Sequence, residues 1–223
     1  VSGMAETAPW RLTRGLWALA APSVAHAEDK IRIVNEGGIR DEWTLAPGTK
    51  LPVPAYPKAH EANQAEACVA IGYLLNADGT TSDFALLKAW SAAEPKRDVD
   101  GYWTEFARDA SDALARWKFM PRPEVASPRP VYTVATFMFA ASNQMELRKR
   151  CAIPNLAMRL AELRHDTRMS RKMAAQTIFT RLDIDPALES RYRDMQRQRD
   201  EVMRNDRKEP PPPPPQPEPP PGG

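Results

Sequence analysis

The clearest alternation of apolar and polar positions lies between residues 66 and 75. There Val69, Ile71, Tyr73 and Leu75 fall on one side of an extended chain, and the small residues Ala70 and Gly72 fall on the other. Asn76-Ala77-Asp78-Gly79 interrupts the run with a turn in which Gly79 supplies a positive φ. A second strand is predicted over residues 82–90, with Phe84, Leu86 and Trp90 sharing a face. The period then changes from two to 3.6. Over residues 101–118, Trp103, Phe106, Ala107, Ala110, Ala113, Leu114 and Trp117 line one stripe of a helix. Asp98 or Asp100 can cap its start, and Pro121 and Pro123 end it. Alternation resumes at Val131, Tyr132, Thr133, Val134, Ala135, Thr136, Phe137, Met138 and Phe139, a third strand with the odd-numbered residues on one face.

A hairpin, a helix and one further strand make an α+β ββαβ unit. The simplest closure is a three-stranded antiparallel sheet with the first strand central, one helix on one face and the third strand at an edge. This order brings the start of the first strand, where Cys68 lies, near the end of the third, which Cys151 follows. The two cysteines can therefore pair; two buried free thiols are the alternative.

Around this unit, residues 55–141, the chain divides further. Residues 1–27 read as a cleavable export signal: Arg11 and Arg14 precede an apolar stretch over residues 15–24, and Ala25-His26-Ala27 forms a small-x-small cleavage site. Export implies an oxidising compartment, the periplasm, in which a disulfide persists. Residues 28–54, broken by Gly37-Gly38, Pro47-Gly48, Pro52 and Pro54, form an irregular lead-in with a short strand at residues 30–34. Residues 142–209 are helical and basic, with Asp185-Pro186 as a helix start. Residues 210–223 are a Pro-rich tail of polyproline II character. The extension carries a surplus of basic residues and residues 28–145 a surplus of acidic ones, so the extension suits packing on its own domain or meeting an acidic partner. The whole chain has 31 Lys and Arg against 29 Asp and Glu, a net charge of +2, which gives no support to a nucleic-acid role.

The order of short motifs resembles the TonB C-terminal domain family. Tyr56-Pro57 precedes the first strand, Asp78-Gly79 turns the hairpin, Trp117-Lys118-Phe119-Met120-Pro121 follows the helix, and an aromatic strand ends Phe137-Met138-Phe139. The resemblance spans residues 51–140. It implies a periplasmic interaction module without enzymatic activity or cofactor. Its last strand, Val131–Phe139, would take up an extended segment of an outer-membrane transporter or another envelope protein by strand addition. Two features depart from the family: Cys68 stands where a small residue, often Gly, precedes the first strand's valine, and the polyproline follows the domain instead of preceding it. A second class of function is an accessory envelope protein that binds peptidoglycan or an assembly through the basic helical arm. Open sheet edges also allow a homodimer by strand exchange.

No catalytic or metal site is expected. His60-Glu61 begins like a zinc-protease helix, but Gln64 stands where a second histidine would be required. The sequence holds neither a Gly-x-Ser-x-Gly nucleophile elbow nor a phosphate-cradling glycine loop.

Overall fold

The computed structural model describes residues 30–62, 64–93, 101–166 and 178–206. The expected signal segment, the caps Asp98 and Asp100, and the Pro-rich tail lie outside them. In chain order the elements are β1 (Arg32–Ile33), β2 (Trp43–Leu45), β3 (Ala67–Leu75), β4 (Thr81–Ser91), α1 (Tyr102–Leu114), β5 (Phe119–Pro121), β6 (Val131–Phe139), α2 (Gln144–Cys151), α3 (Leu156–His165), α4 (Ile178–Arg181) and α5 (Pro186–Asp206). None of these helices is long and apolar enough to cross a membrane.

The main sheet has the order β1-β6-β3-β4, with β3 antiparallel to both β4 and β6. Every residue of β3 is buried, because both faces of the sheet are covered. Its period of two sorts the side chains into two cores. Val69, Ile71, Tyr73 and Leu75 pack with Phe106, Ala110 and Leu114 of α1. Ala70 and Leu74 pack on the opposite face with Leu156 and Leu160 of α3 and Phe179 of α4. The small residues on that face leave room for Tyr132: a Cβ on Gly72 would lie 2.5 Å from its hydroxyl and 2.8 Å from Leu87 Cδ1. The helical extension is thus the second roof of the sheet.

Local chemistry starts three helices of that roof, α2, α3 and α5. Asn143 accepts from Glu146 N, Asn155 from Met158 N and Asp185 from Ala187 N, each a side-chain N-cap. The expected Asp185-Pro186 start is observed, with Pro186 as the first residue of α5. Arg164 of α3 ties the roof together by pairing with Glu189 of α5 at 2.8 Å and donating to Phe179 O. Cys151 closes α2 and is bonded to Cys68 of β3, with the pair buried among Leu147, Trp90 and Met138.

Four expectations need correction. The sheet has four strands, because β1 pairs in parallel with β6. The third predicted strand, β6, is therefore not an edge at its start. The face expected for Phe84, Leu86 and Trp90 holds for Phe84 and Leu86, which pack toward α1, but not for Trp90. Lys88 opposes Ala70 while Leu86 opposes Ile71, so Leu87 is an extra residue that reverses the facing, and Trp90 packs beside the disulfide instead of α1. Finally, α1 stops at Leu114 and Trp117 lies beyond it, since the chain turns there to pair β5 with β2 in a second, two-stranded sheet.

Candidate partner-binding edge

Backbone direction defines the outer edge of β6. Tyr132 O accepts from Val34 N at 2.9 Å, and Thr136 N donates to Glu36 Oε1 at 2.9 Å. By the alternation of an antiparallel ladder, the peptide groups of Tyr132, Val134, Thr136 and Met138 point away from β3. The lead-in occupies the first part of this edge. Arg32 stands opposite Val131 and Ile33 opposite Tyr132, in parallel register. On its far side Ile31 bridges Leu182, donating to Arg181 O at 2.8 Å and accepting from Asp183 N at 2.9 Å. The lead-in is thus clamped between β6 and the segment that joins α4 to α5.

Past Val34 the backbone leaves the sheet, and side chains continue the contact. Asn35 O accepts from Thr133 Oγ1 at 3.3 Å, while its Oδ1 accepts from Leu156 N at the start of α3 at 2.9 Å. The Glu36 carboxylate takes both Thr136 N and, at 3.1 Å, Thr136 Oγ1, and it pairs with Arg148 at 2.9 Å. Gly37, with φ of 79°, then swings the chain away. Among the described residues no strand pairs with the outer edge of β6 beyond Tyr132. Beside Glu36 opens a groove of about 530 Å³ whose apolar lining includes Ile39, Trp43, Leu45 and Phe119, and which Arg40 and Arg148 also line.

The opposite edge, β4, is blunted. It carries two register shifts, one beside Asp83, whose φ is 52°. The Arg159 guanidinium covers Leu87 O from Nε at 3.0 Å and Nη2 at 2.8 Å. Bulges and an inserted cation both disfavour pairing with another strand.

The motif residues serve the core. Tyr56 donates to Ala65 O at 3.1 Å and meets Phe106 and Phe139 edge-on, and burial pushes its phenol pKa up. Pro57 leads into a short 3-10 turn at Lys58–His60. Trp117 packs on Phe137 at 5.8 Å and Phe119 at 6.2 Å. Pro121 stands opposite Trp43. Asp78 accepts from Thr80 Oγ1 at 2.6 Å and Thr80 N at 2.9 Å, contacts that hold its carboxyl below the usual range. Gly79, at φ of 81°, lies so close to β5 that an added Cβ would stand 1.9 Å from Phe119 O. Along β6 the odd-numbered Val131, Ala135, Phe137 and Phe139 are buried against the α1 side, and the Tyr132 phenol is pushed up by burial on the other. His60 stacks on Phe106 with centroids 5.4 Å apart, an aromatic packing role.

Sequence reasoning placed β6 and the disulfide but missed Asn35, Glu36 and Arg148. The only signal was a polar, acidic residue directly before Gly37-Gly38.

The chain was compared with known proteins. No family model matches it, and no curated protein matches it. Among solved structures it is similar to the solution NMR structure of the Pseudomonas aeruginosa TonB CTD, at 19% identity and a TM-score of 0.37, covering 50% of this chain and 96% of that one. It is also similar to the Helicobacter pylori TonB-CTD, at 19% identity and a TM-score of 0.28, covering 41% of this chain and 72% of that one.

Proposed function

We propose that this chain is a non-enzymatic, TonB C-terminal-domain-like interaction module of the periplasm that takes an extended partner segment on the outer edge of β6. The observation that carries this reading is β1: the edge already holds an extended, parallel segment of its own chain. The chemistry of the edge is generic, since main-chain groups supply the affinity and flanking side chains the selectivity. The partner class that the sequence motifs imply is a periplasmic segment of an outer-membrane transporter. The test is to titrate the isotopically labelled protein with peptides from the N-terminal segments of such transporters. Amide shifts centred on Tyr132, Val134, Thr136 and Met138 are expected. Binding that leaves those amides unmoved would defeat the reading.

A second reading rests on α5. Its outer part exposes Met195, Val202 and Met203 at 50%, 58% and 52%, among Arg197, Arg199 and Arg204. Such a surface suits an envelope adaptor that meets peptidoglycan or another assembly. Cosedimentation with purified cell wall that depends on residues 195–206 would favour it over the edge.

A further inference from the structure

The lead-in is bound to β6 in two different ways. Up to Val34 it is a true strand, anchored by the buried Ile31 and by ladder bonds on both of its sides. From Glu36 on it holds the edge only through a side chain. The Glu36–Arg148 pair is partly exposed, so solvent screens it, and displacing a carboxylate from Thr136 disturbs no β-ladder. The edge therefore has a firm half, at Val131 and Tyr132, and a soft half, at Thr136 and Met138.

We propose that residues 31–36 are a resident competitor for the partner of β6, and that they imprint its chemistry. This rests on the reading of the β6 edge as the docking surface. The lead-in runs parallel to β6. Ile31 and Ile33 feed the core under α3, Val34 feeds the core under α1, and Glu36 supplies the acceptor for Thr136. The partner that fits is a parallel, extended segment with aliphatic residues at alternate positions followed by an acidic side chain that can meet Arg148. Docking begins at Thr136, where a side chain alone must yield, and proceeds toward Tyr132 as β1 peels away. The affinity of the intact chain for any such segment is reduced by the fraction of time that the edge is covered.

The test uses the full labelled chain and one probe, a synthetic peptide of residues 30–37, offered to the wild type, to Val34→Pro and to Glu36→Ala. Val34→Pro removes the donor to Tyr132 O, and Glu36→Ala removes the plug. If the edge is covered most of the time, Val34→Pro binds the peptide about tenfold or more tighter than the wild type, with shifts on Tyr132–Met138. Glu36→Ala shows a smaller gain confined to Thr136 and Met138. A peptide with Gln in place of the glutamate binds more weakly to both variants. If Val34→Pro fails to fold, Glu36→Ala carries the comparison alone. Equal affinity of the wild type and the variants overturns the competition while leaving the docking edge intact. Shifts from transporter peptides but none from this peptide overturn the imprint only. Silence of β6 toward both probes overturns the docking edge and the inference with it.

Discussion

The two faces of the central sheet are roofed by different means. On one side α1 follows directly from the hairpin, and its apolar stripe meets Val69, Ile71 and Tyr73 with no covalent help. On the other side the roof is assembled from separate pieces. Helices α3 and α4 come from the extension, Ile31 from the lead-in, and the Cys68–Cys151 bond pins α2 to β3 across a sequence separation of 83. A contiguous amphipathic helix brings its own cover, whereas short helices are marginal alone, and here the disulfide and Arg164 hold them on the sheet. The difference shows in what each side leaves exposed. Phe106, Ala110, Ala113 and Leu114 of the α1 stripe are buried, while α5 runs out past the roof with Met195, Val202 and Met203 exposed.

The strongest way to break this comparison is to cut the clamp. In the chain-entropy description a bond closing a loop of this length stabilises by about 4–5 kcal/mol. Reduction, or Cys151→Ser paired with Cys68→Ala, should lower the unfolding free energy by about that amount in urea titration. Loss should register first as exchange of the α3 amides. If protection of α1 and α3 falls together and by little, the second roof stands without its clamp and the contrast is wrong.

Truncating one side chain in each core asks next whether the roofs are one cooperative unit. Phe106 and Leu160 are both fully buried. Phe106→Ala should cost about 3–5 kcal/mol and Leu160→Ala about 2–5 kcal/mol. Because β3 is shared, both should shift a single transition, read alike by fluorescence from Trp43, Trp103 and Trp117 and by helical circular dichroism. Separate midpoints for the two probes would show two units.

The same contrast explains what could be read from the chain alone. The α1 side was legible because its signals are local: the alternation of Val69, Ile71 and Tyr73, the Asp78-Gly79 turn and the stripe through Phe106 and Ala110 each lie within one element. Val131–Phe139 was bounded as observed. The face of Trp90 was misread because a bulge at Leu87 has no compositional mark, and the helix overran because Trp117 keeps helical spacing after the chain has turned toward β2. At the candidate edge both β6 and the short strand within residues 30–34 were visible, but not that the second lies against the first. Ile33 meets Tyr132 across most of the domain's length, and a parallel pairing of that span leaves no trace in local periodicity. Glu36 reads in sequence as an ordinary loop acid. Only the fold gives it Thr136 and Arg148.

A smaller effect sharpens the picture at the extension. Asn155 caps α3 through Met158 N, and Asn35 reaches Leu156 N from the lead-in. Asn155→Ala should therefore cost about 1 kcal/mol. Asn35→Ala should cost a similar amount through the same helix end and also loosen β1. Hydrogen exchange at Val34 separates the two, because only the Asn35 variant should speed it.

The smallest effect sits at the link between β6 and α2. Glu66 precedes β3, and its Oε1 accepts from Ser142 Oγ at 2.5 Å and Ser142 N at 2.7 Å, fastening the link between β6 and α2 to the start of the hairpin. The Ser142 hydroxyl, followed by the Ser142 backbone amide, holds the carboxyl below its ordinary value of 4.5. A depressed folded value fixes the sign. The contribution is complete above pH 4.5 and disappears as the pH falls through the lower, folded value. The group is open to solvent, so the change is slight and salt weakens it. Titrating the Glu66 carboxyl carbon by NMR should give a midpoint under 4.5, and Glu66→Gln should flatten the acid limb of stability while leaving neutral pH almost untouched. A midpoint at or above 4.5 would mean that Ser142 is not held there, and that the link between β6 and α2 is looser than its hydrogen bonds imply.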